Sequence, residues 1–431
     1  MKSGSAADSI SDRMWVRFGL LPALTMSVGW GLRGFIGGGS LGAMISGALV
    51  ALVLCQALEL PDGICGRIAA FGAVGVGFGG QETYGQTVRF VTDAGPMFWR
   101  GVAGLGVKGA VWGMLGGAVI GAAFGASRLS RRQWGVALAL LVAGTWLGWR
   151  LIDQPKLLYF SNLADRPRPE IWAGLLTGSG CFLGGVALAG RTHVRVAMTL
   201  AAFGAIGGGI GFAVGGVTYA GGMALGWPAE WYPGWKQMEF TFGLLFGGAL
   251  GGATWWQREA IAAAVRDSTS TEKSVGSPWW PVSSAVLAAA AIWGGSALRV
   301  RFGYTVAGGA LLALALVSER AAWQIALTVT AGAFFLDVGK FFSENHPTVP
   351  TLVATVGALV LAAGLCLWVA VRHASGREMT CWSFRVLLWL AVAAALCRTG
   401  WHPKIPPSLI IVAAAFVGGG AWITNLARPR G

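Results

Sequence analysis

Glu82, Gln86 and Arg89 stand four and three residues apart in the line Gly80-Gln81-Glu82-Thr83-Tyr84-Gly85-Gln86-Thr87-Val88-Arg89. On a continuing helix that spacing puts an acid, an amide and a base on one face. Such a set can hold a cation, accept a proton, or pair internally where a helix end meets interfacial water. Further along, Lys108 is alone in a long uncharged run, and Glu239 is the acid of a comparable run. Charges inside a bilayer are costly enough to be functional suspects, and a buried charge without a partner would be neutralised instead. A pairing of Lys108 with Glu239, or of Lys108 with Glu82, across a central cavity is therefore expected.

Other residues join this set through the connections between apolar runs. Arg33 follows the interruption Gly29-Trp30-Gly31-Leu32, and Gln81 and Tyr84 flank Glu82. Trp149, Arg150 and Asp153 close a later run, and Tyr219 and Trp235 lie near Glu239. With Gln86, Arg89 and Lys108 they form the expected substrate-binding group. No nucleophile and base stand at a recognisable catalytic spacing, so no catalytic residue is assigned. The four histidines are isolated, and the cysteines form no Cys-x-x-Cys pair, so no metal site or cofactor is expected. Gly75-x-Gly77-x-Gly79-Gly80 has the look of a dinucleotide loop, but it lies in an apolar helical run with no preceding strand.

The elements that must position these residues follow from composition. Hydrophobic residues make up 55% of the chain and charged residues 12%, and mean hydropathy is +0.63. That balance excludes a soluble domain and describes an all-α polytopic membrane protein. A net charge of +14 would suit nucleic acid if it were clustered. The basic residues instead fall singly or in small groups between apolar runs, as in loops that obey the positive-inside rule, and nucleic-acid binding is excluded on that ground.

Glycines recur at 109, 113, 117, 121 and 125. A period of four draws a bare stripe down one helix face, which lets a neighbouring backbone approach closely in lipid. Ala69-Ala70-Phe71-Gly72-Ala73-Val74-Gly75 returns as Ala201-Ala202-Phe203-Gly204-Ala205-Ile206-Gly207, Thr83-Tyr84 as Thr218-Tyr219, and Gly-Gly-Ala at 116–118 as 247–249. These echoes, in the same order, suggest a duplication.

The expected organisation is a polar tail over 1–14, one four-helix repeat over 15–127 and a second, parallel one over 128–257. A polar linker over 258–278 and a six-helix C-terminal subdomain over 279–431 complete it, for about fourteen membrane-spanning helices in all. The third helix is read as running from Arg67 to about Thr87. The proline-bearing insertion from Ile152 to Pro169 is longer than packing needs and suits a cover over a site. Both termini are expected on the cytoplasmic side of a cell inner membrane.

Three functions fit. The first is a secondary transporter of a small polar solute, sugar- or polyol-like, since rings stack on its C–H faces while amides and carboxylates bond its hydroxyls. The alternative is a membrane enzyme acting on a lipid-linked or amphipathic substrate at the outer leaflet, and the third is a non-catalytic accessory subunit. The expected partners are the lipid bilayer, the solute, and a second copy meeting this one through the C-terminal helices.

Overall fold

A computed structural model of the chain describes residues 14–36, 38–93, 95–161, 168–269, 279–297, 303–345, 378–400 and 405–427, with scattered positions between 348 and 368. The tail over 1–13, the linker positions 270–278, the 162–167 part of the insertion and much of the 350–371 run lie outside the described residues. Among the described residues every regular element is helical.

Helix α1 (Leu21–Arg33) continues a π-helical turn at Val16–Leu20. It is followed by α2 (Gly39–Ala57), α3 (Asp62–Gly79), the short α4 (Gly85–Thr92) and the long α5 (Phe98–Phe124). Then come α6 (Arg131–Gly148), extended by a π-helical turn at Trp149–Asp153, α7 (Trp172–Ala187), α8 (Arg191–Ala224) and α9 (Gly234–Trp256). The remainder comprises α10 (Arg258–Thr269), α11 (Trp279–Ala297), α12 (Gly303–Ala315), α13 (Glu319–Asn345), α14 (Glu378–Gly400) and α15 (Pro407–Leu426).

Among the described residues, seven spans are long and apolar enough to cross a membrane: Gly39–Ala57, Phe98–Phe124, Arg131–Asp153, Val194–Ala224, Glu319–Gly339, Met379–Gly400 and Pro407–Leu426. The chain is therefore an integral membrane protein by the character of its helices. The apolar runs at Trp172–Ala187, Trp279–Ala291 and Tyr304–Ala315 are shorter.

The period-four glycine stripe of α5 lies against α8. A Cβ added at Gly109 would stand 2.2 Å from the Gly208 carbonyl oxygen, one at Gly113 1.9 Å from that of Gly204, and one at Gly117 2.1 Å from that of Leu200. The contact is reciprocal, because a Cβ on Gly204 would meet the Gly113 oxygen at 2.2 Å. No side chain larger than hydrogen fits such a seam, which is how apolar helices gain packing energy when lipid offers no hydrophobic drive between them. Gly47 of α2 and Gly72 of α3 meet in the same way, 2.1 Å from added Cβ to carbonyl oxygen.

Boundaries differ from the sequence reading at the third helix, which begins at Asp62 rather than Arg67, and after α9. The third helix does not run on to Thr87; it stops at Gly79 and resumes at Gly85. At the break, Gly79 is pressed on the Trp112 indole and Gly80 on the backbone of Ser40. The described part of the polar stretch after α9, over 258–269, is helical. It forms α10, whose Ile261, Ala264 and Val265 are buried at helical spacing while Arg258, Glu259 and Arg266 carry the polar face.

The C-terminal helices are tied to the first by named polar contacts. The Asp62 carboxylate accepts the backbone N–H of Met379 (2.9 Å) and of Thr380 (3.2 Å), and also the Thr380 hydroxyl, and so caps α14. At the opposite end of α14, Arg398 bonds both Asp337 oxygens at 3.0 Å. That pairing assigns Asp337 to holding α13 against α14.

Candidate functional site

Lys108 lies ten residues into α5, about 15 Å along the helix from its start. Its ammonium is buried among four oxygens: the Thr83 carbonyl at 2.6 Å, Glu170 Oε1 at 2.7 Å, Thr87 Oγ1 at 2.9 Å and Glu82 Oε1 at 3.0 Å. An ammonium has three hydrogens, so one oxygen goes without. The farthest of the four is Glu82 Oε1, which is buried and held by the charge of the ammonium at 3.0 Å rather than by one of the three shorter hydrogen bonds. The two carboxylates are otherwise well held. Glu82 Oε2 accepts the Ile171 N–H at 2.7 Å, while Glu170 accepts the Ser161 hydroxyl (2.7 Å) and the Phe160 N–H (3.0 Å).

The helix break explains how this is possible. Residues 80–84 leave the helical path inside the bundle, and the Thr83 carbonyl freed there is satisfied by Lys108. Unwound backbone at membrane depth is tolerated where protein groups replace its lost partners. The break also turns Glu82 toward α5 and α7, and it separates Glu82 from Gln86 and Arg89, which sit on α4. The single-face arrangement of those three is thus not formed.

On the other side of the same turn stands a second cluster. Arg33, the last residue of α1, donates from Nη1 to the Tyr84 hydroxyl at 2.7 Å, and Tyr84 in turn reaches Glu239 Oε1 at 3.3 Å. Arg33 Nη1 is 3.9 Å from that same Glu239 oxygen. Lys236 is bound more closely, with Nζ 2.5 Å from Glu239 Oε2 and 2.9 Å from the Gly31 carbonyl. Trp235 Nε1 donates to Glu239 Oε1 at 3.2 Å. The Arg33 guanidinium lies over three rings, 5.1 Å from Trp30, 5.4 Å from Tyr84 and 5.0 Å from Trp112, at cation–π distance. Tyr84 stacks on Trp235 with centroids 5.7 Å apart.

The chain reverses beyond Arg33 through Gly38 and Gly39, at φ +56° and +48°. Only glycine takes that conformation without strain. Gly34 faces the second cluster, since a Cβ there would meet Lys236 Nζ at 2.3 Å.

The sequence-derived site residues divide as follows. Arg33, Glu82, Tyr84, Lys108, Trp235 and Glu239 come together, and Lys108 pairs with Glu82. The Lys108–Glu239 pairing is not formed, because Lys236 and Arg33 take Glu239 instead. Gln81 borders the group and holds Thr305 of α12, with Nε2 3.0 Å from Oγ1. Asp153 is buried but caps α7, accepting the Ala173 and Gly174 N–H groups at 3.2 and 2.8 Å. Gln86 is half-buried on α4 and Trp149 half-buried beyond α6. Arg89 is exposed and paired with Asp93 at 3.2 Å, Arg150 bonds Gln154 at 2.6 Å, and Tyr219 packs on Tyr232. These three stand apart from both clusters.

Sequence reasoning missed Glu170. The available signal was an acid placed directly after the proline-bearing insertion and before the apolar run that becomes α7. In the described part of that insertion, Arg100 donates to the Tyr159 carbonyl at 2.6 Å, and the Tyr159 hydroxyl donates to the Arg168 carbonyl. Burial first, and then the Glu170 carboxylate, push the Tyr159 phenol above its ordinary pKa, so it remains a donor at neutral pH. Compared with known protein families, curated proteins and solved structures, the chain matches none.

Proposed function

We propose that this membrane protein is a secondary transporter of a small polar solute, bound where the broken helix α3–α4 meets α1, α5, α8 and α9. The observation that carries this reading is the unwound turn 80–84, whose freed Thr83 carbonyl is held by the buried Lys108 ammonium at 2.6 Å. A discontinuous helix with ionisable partners at membrane depth suits a site that opens by a local rearrangement. Rigid catalytic placement would have no need of one. The glycine seam between α5 and α8 supplies a surface along which backbones slide without interlocked side chains.

The wider architecture belongs to the same proposal. The chain crosses a cell inner membrane about fourteen times, its termini lie in the cytoplasm, and the site opens to the outer side. The first eight crossings form two parallel repeats, and the glycines that meet across α5 and α8 come from different copies. Four of the eighteen residues in the most apolar window of α15 are buried (22%), which supports the use of this helix for lipid contact or a second copy.

The test is counterflow. Proteoliposomes carrying the full chain are loaded with millimolar unlabelled sugars, polyols or amino acids and diluted into tracer amounts of the same labelled solute. Accumulation of one class above that in empty liposomes, lost in Glu82→Gln, supports transport. Folded protein that accumulates none of the panel overturns it and returns the enzyme reading to first place.

A further inference from the structure

The two clusters on either side of the 82–84 turn are unbalanced in opposite senses. Around Glu239, two cations, Arg33 and Lys236, share one carboxylate, leaving a positive excess. Around Lys108, two carboxylates, Glu82 and Glu170, share one ammonium, leaving a negative excess. Side-chain exposure is 6% or less for every member except Lys236, at 14%. Uncompensated charge in a buried site is costly, and each pole gains from an opposite charge delivered to it.

Neither pole is a set of one-to-one ion pairs. Arg33 Nη1 gives its hydrogen bond to the Tyr84 hydroxyl at 2.7 Å and stands 3.9 Å from Glu239, beyond hydrogen-bond range of that carboxylate. Glu82 Oε1, 3.0 Å from the Lys108 ammonium, is the farthest of four oxygens around a three-hydrogen donor, so it shares that cation and keeps acceptor capacity. The rings of Trp30, Tyr84 and Trp112 gather around Arg33, and Tyr84 packs 5.0 Å from Phe212 and 6.3 Å from Trp112. Other charged groups nearby do not cancel the pattern. Asp153 is held by the head of α7, and Arg100 and Arg168 are exposed on the rim.

We infer that the solute is a small zwitterion. Its anionic group is received by Arg33 and Lys236, its cationic group donates to Glu82 Oε1, and its carbon skeleton lies against the rings. This deepens the transporter reading and rests on it for the purpose of the site, but a neutral sugar or polyol would leave both charge excesses uncompensated. One added charge-assisted hydrogen bond at Glu82 makes a zwitterion bind about tenfold more tightly than the matching simple anion.

Binding is measured apart from transport, on the purified full chain in detergent, by thermal shift and by tryptophan fluorescence. The probes are alanine and glycine, with acetate, methylammonium and sorbitol as single-charge and neutral comparisons. Alanine or glycine should stabilise at concentrations at least about tenfold below acetate. Lys236→Met, at the accessible edge of the site, should weaken zwitterion and acetate together. Glu82→Gln should bring zwitterion and acetate to equal strength. Equal binding of acetate and alanine by the unsubstituted protein, stabilisation by sorbitol alone, or no response to any probe overturns the inference. Zwitterion binding without counterflow would refute transport and leave this site standing, whereas counterflow of sugars alone would do the reverse.

Discussion

Replacing Lys108 by methionine removes the one cation from a buried pocket that keeps both of its carboxylates. The side chain is 1% exposed, and methionine fills much the same volume, so the change is electrostatic rather than a cavity. Glu82 retains the Ile171 N–H, and Glu170 retains Ser161 and Phe160. What is lost is the counter-charge of both acids and the partner of the Thr83 carbonyl. Breaking a buried pair by removing one member costs about 3–5 kcal/mol, a large share of the roughly 5–15 kcal/mol that holds an ordinary domain together. In a dye-based melt of detergent-purified protein this corresponds to a fall on the order of 10 °C. Adding Glu82→Gln and Glu170→Gln to Lys108→Met removes the stranded charges and should recover part of the loss. A Lys108→Met protein that melts with the unsubstituted one, or a triple variant no better than the single, would refute the pairing on which the site is built.

Other outcomes follow from the same contacts. Gly113→Ala places a methyl group 1.9 Å from the Gly204 carbonyl oxygen and forces α5 from α8, so it should cost about 1–3 kcal/mol in the same melt. Gly135→Ala on α6, with nothing within 4 Å of the added carbon, should be neutral or stabilise by up to about 1 kcal/mol. Asp62→Ala strips the cap from α14 and should cost about 1–2 kcal/mol, seen as faster proteolysis at the start of that helix. Asp153→Ala uncaps α7 and should lower the melt by a similar amount. Because Asp153 lies outside both charge clusters, solute affinity at the site should be kept, as thermal shift would report.

Much of the helical framework can be read along the chain because its signals are local. The uncharged run around Lys108 and the period-four glycines determine a membrane helix with a bare face, and α5 spans Phe98–Phe124 as that pattern implies. The break after Gly79 is not local in origin. A glycine-rich run without proline carries no stop signal of its own, and the interruption depends on Trp112 filling the space beside Gly79 and on Lys108 taking the Thr83 carbonyl. Reading the helix straight through therefore put Glu82, Gln86 and Arg89 on a shared face that does not exist.

Taken by itself, the sequence determined that this is a helical membrane protein, that α5 must press its glycines on another backbone, and that Lys108, Glu82 and Glu239 are too costly to bury idly. Only the tertiary structure decided the partners. Lys108 meets Glu170 across 62 residues and Thr83 across 25, and Tyr84 meets Glu239 across 155. Burial cost is a property of a residue type and its surroundings, and is legible in composition. A hydrogen bond depends on ångström distances between segments, which are set by how every intervening helix packs.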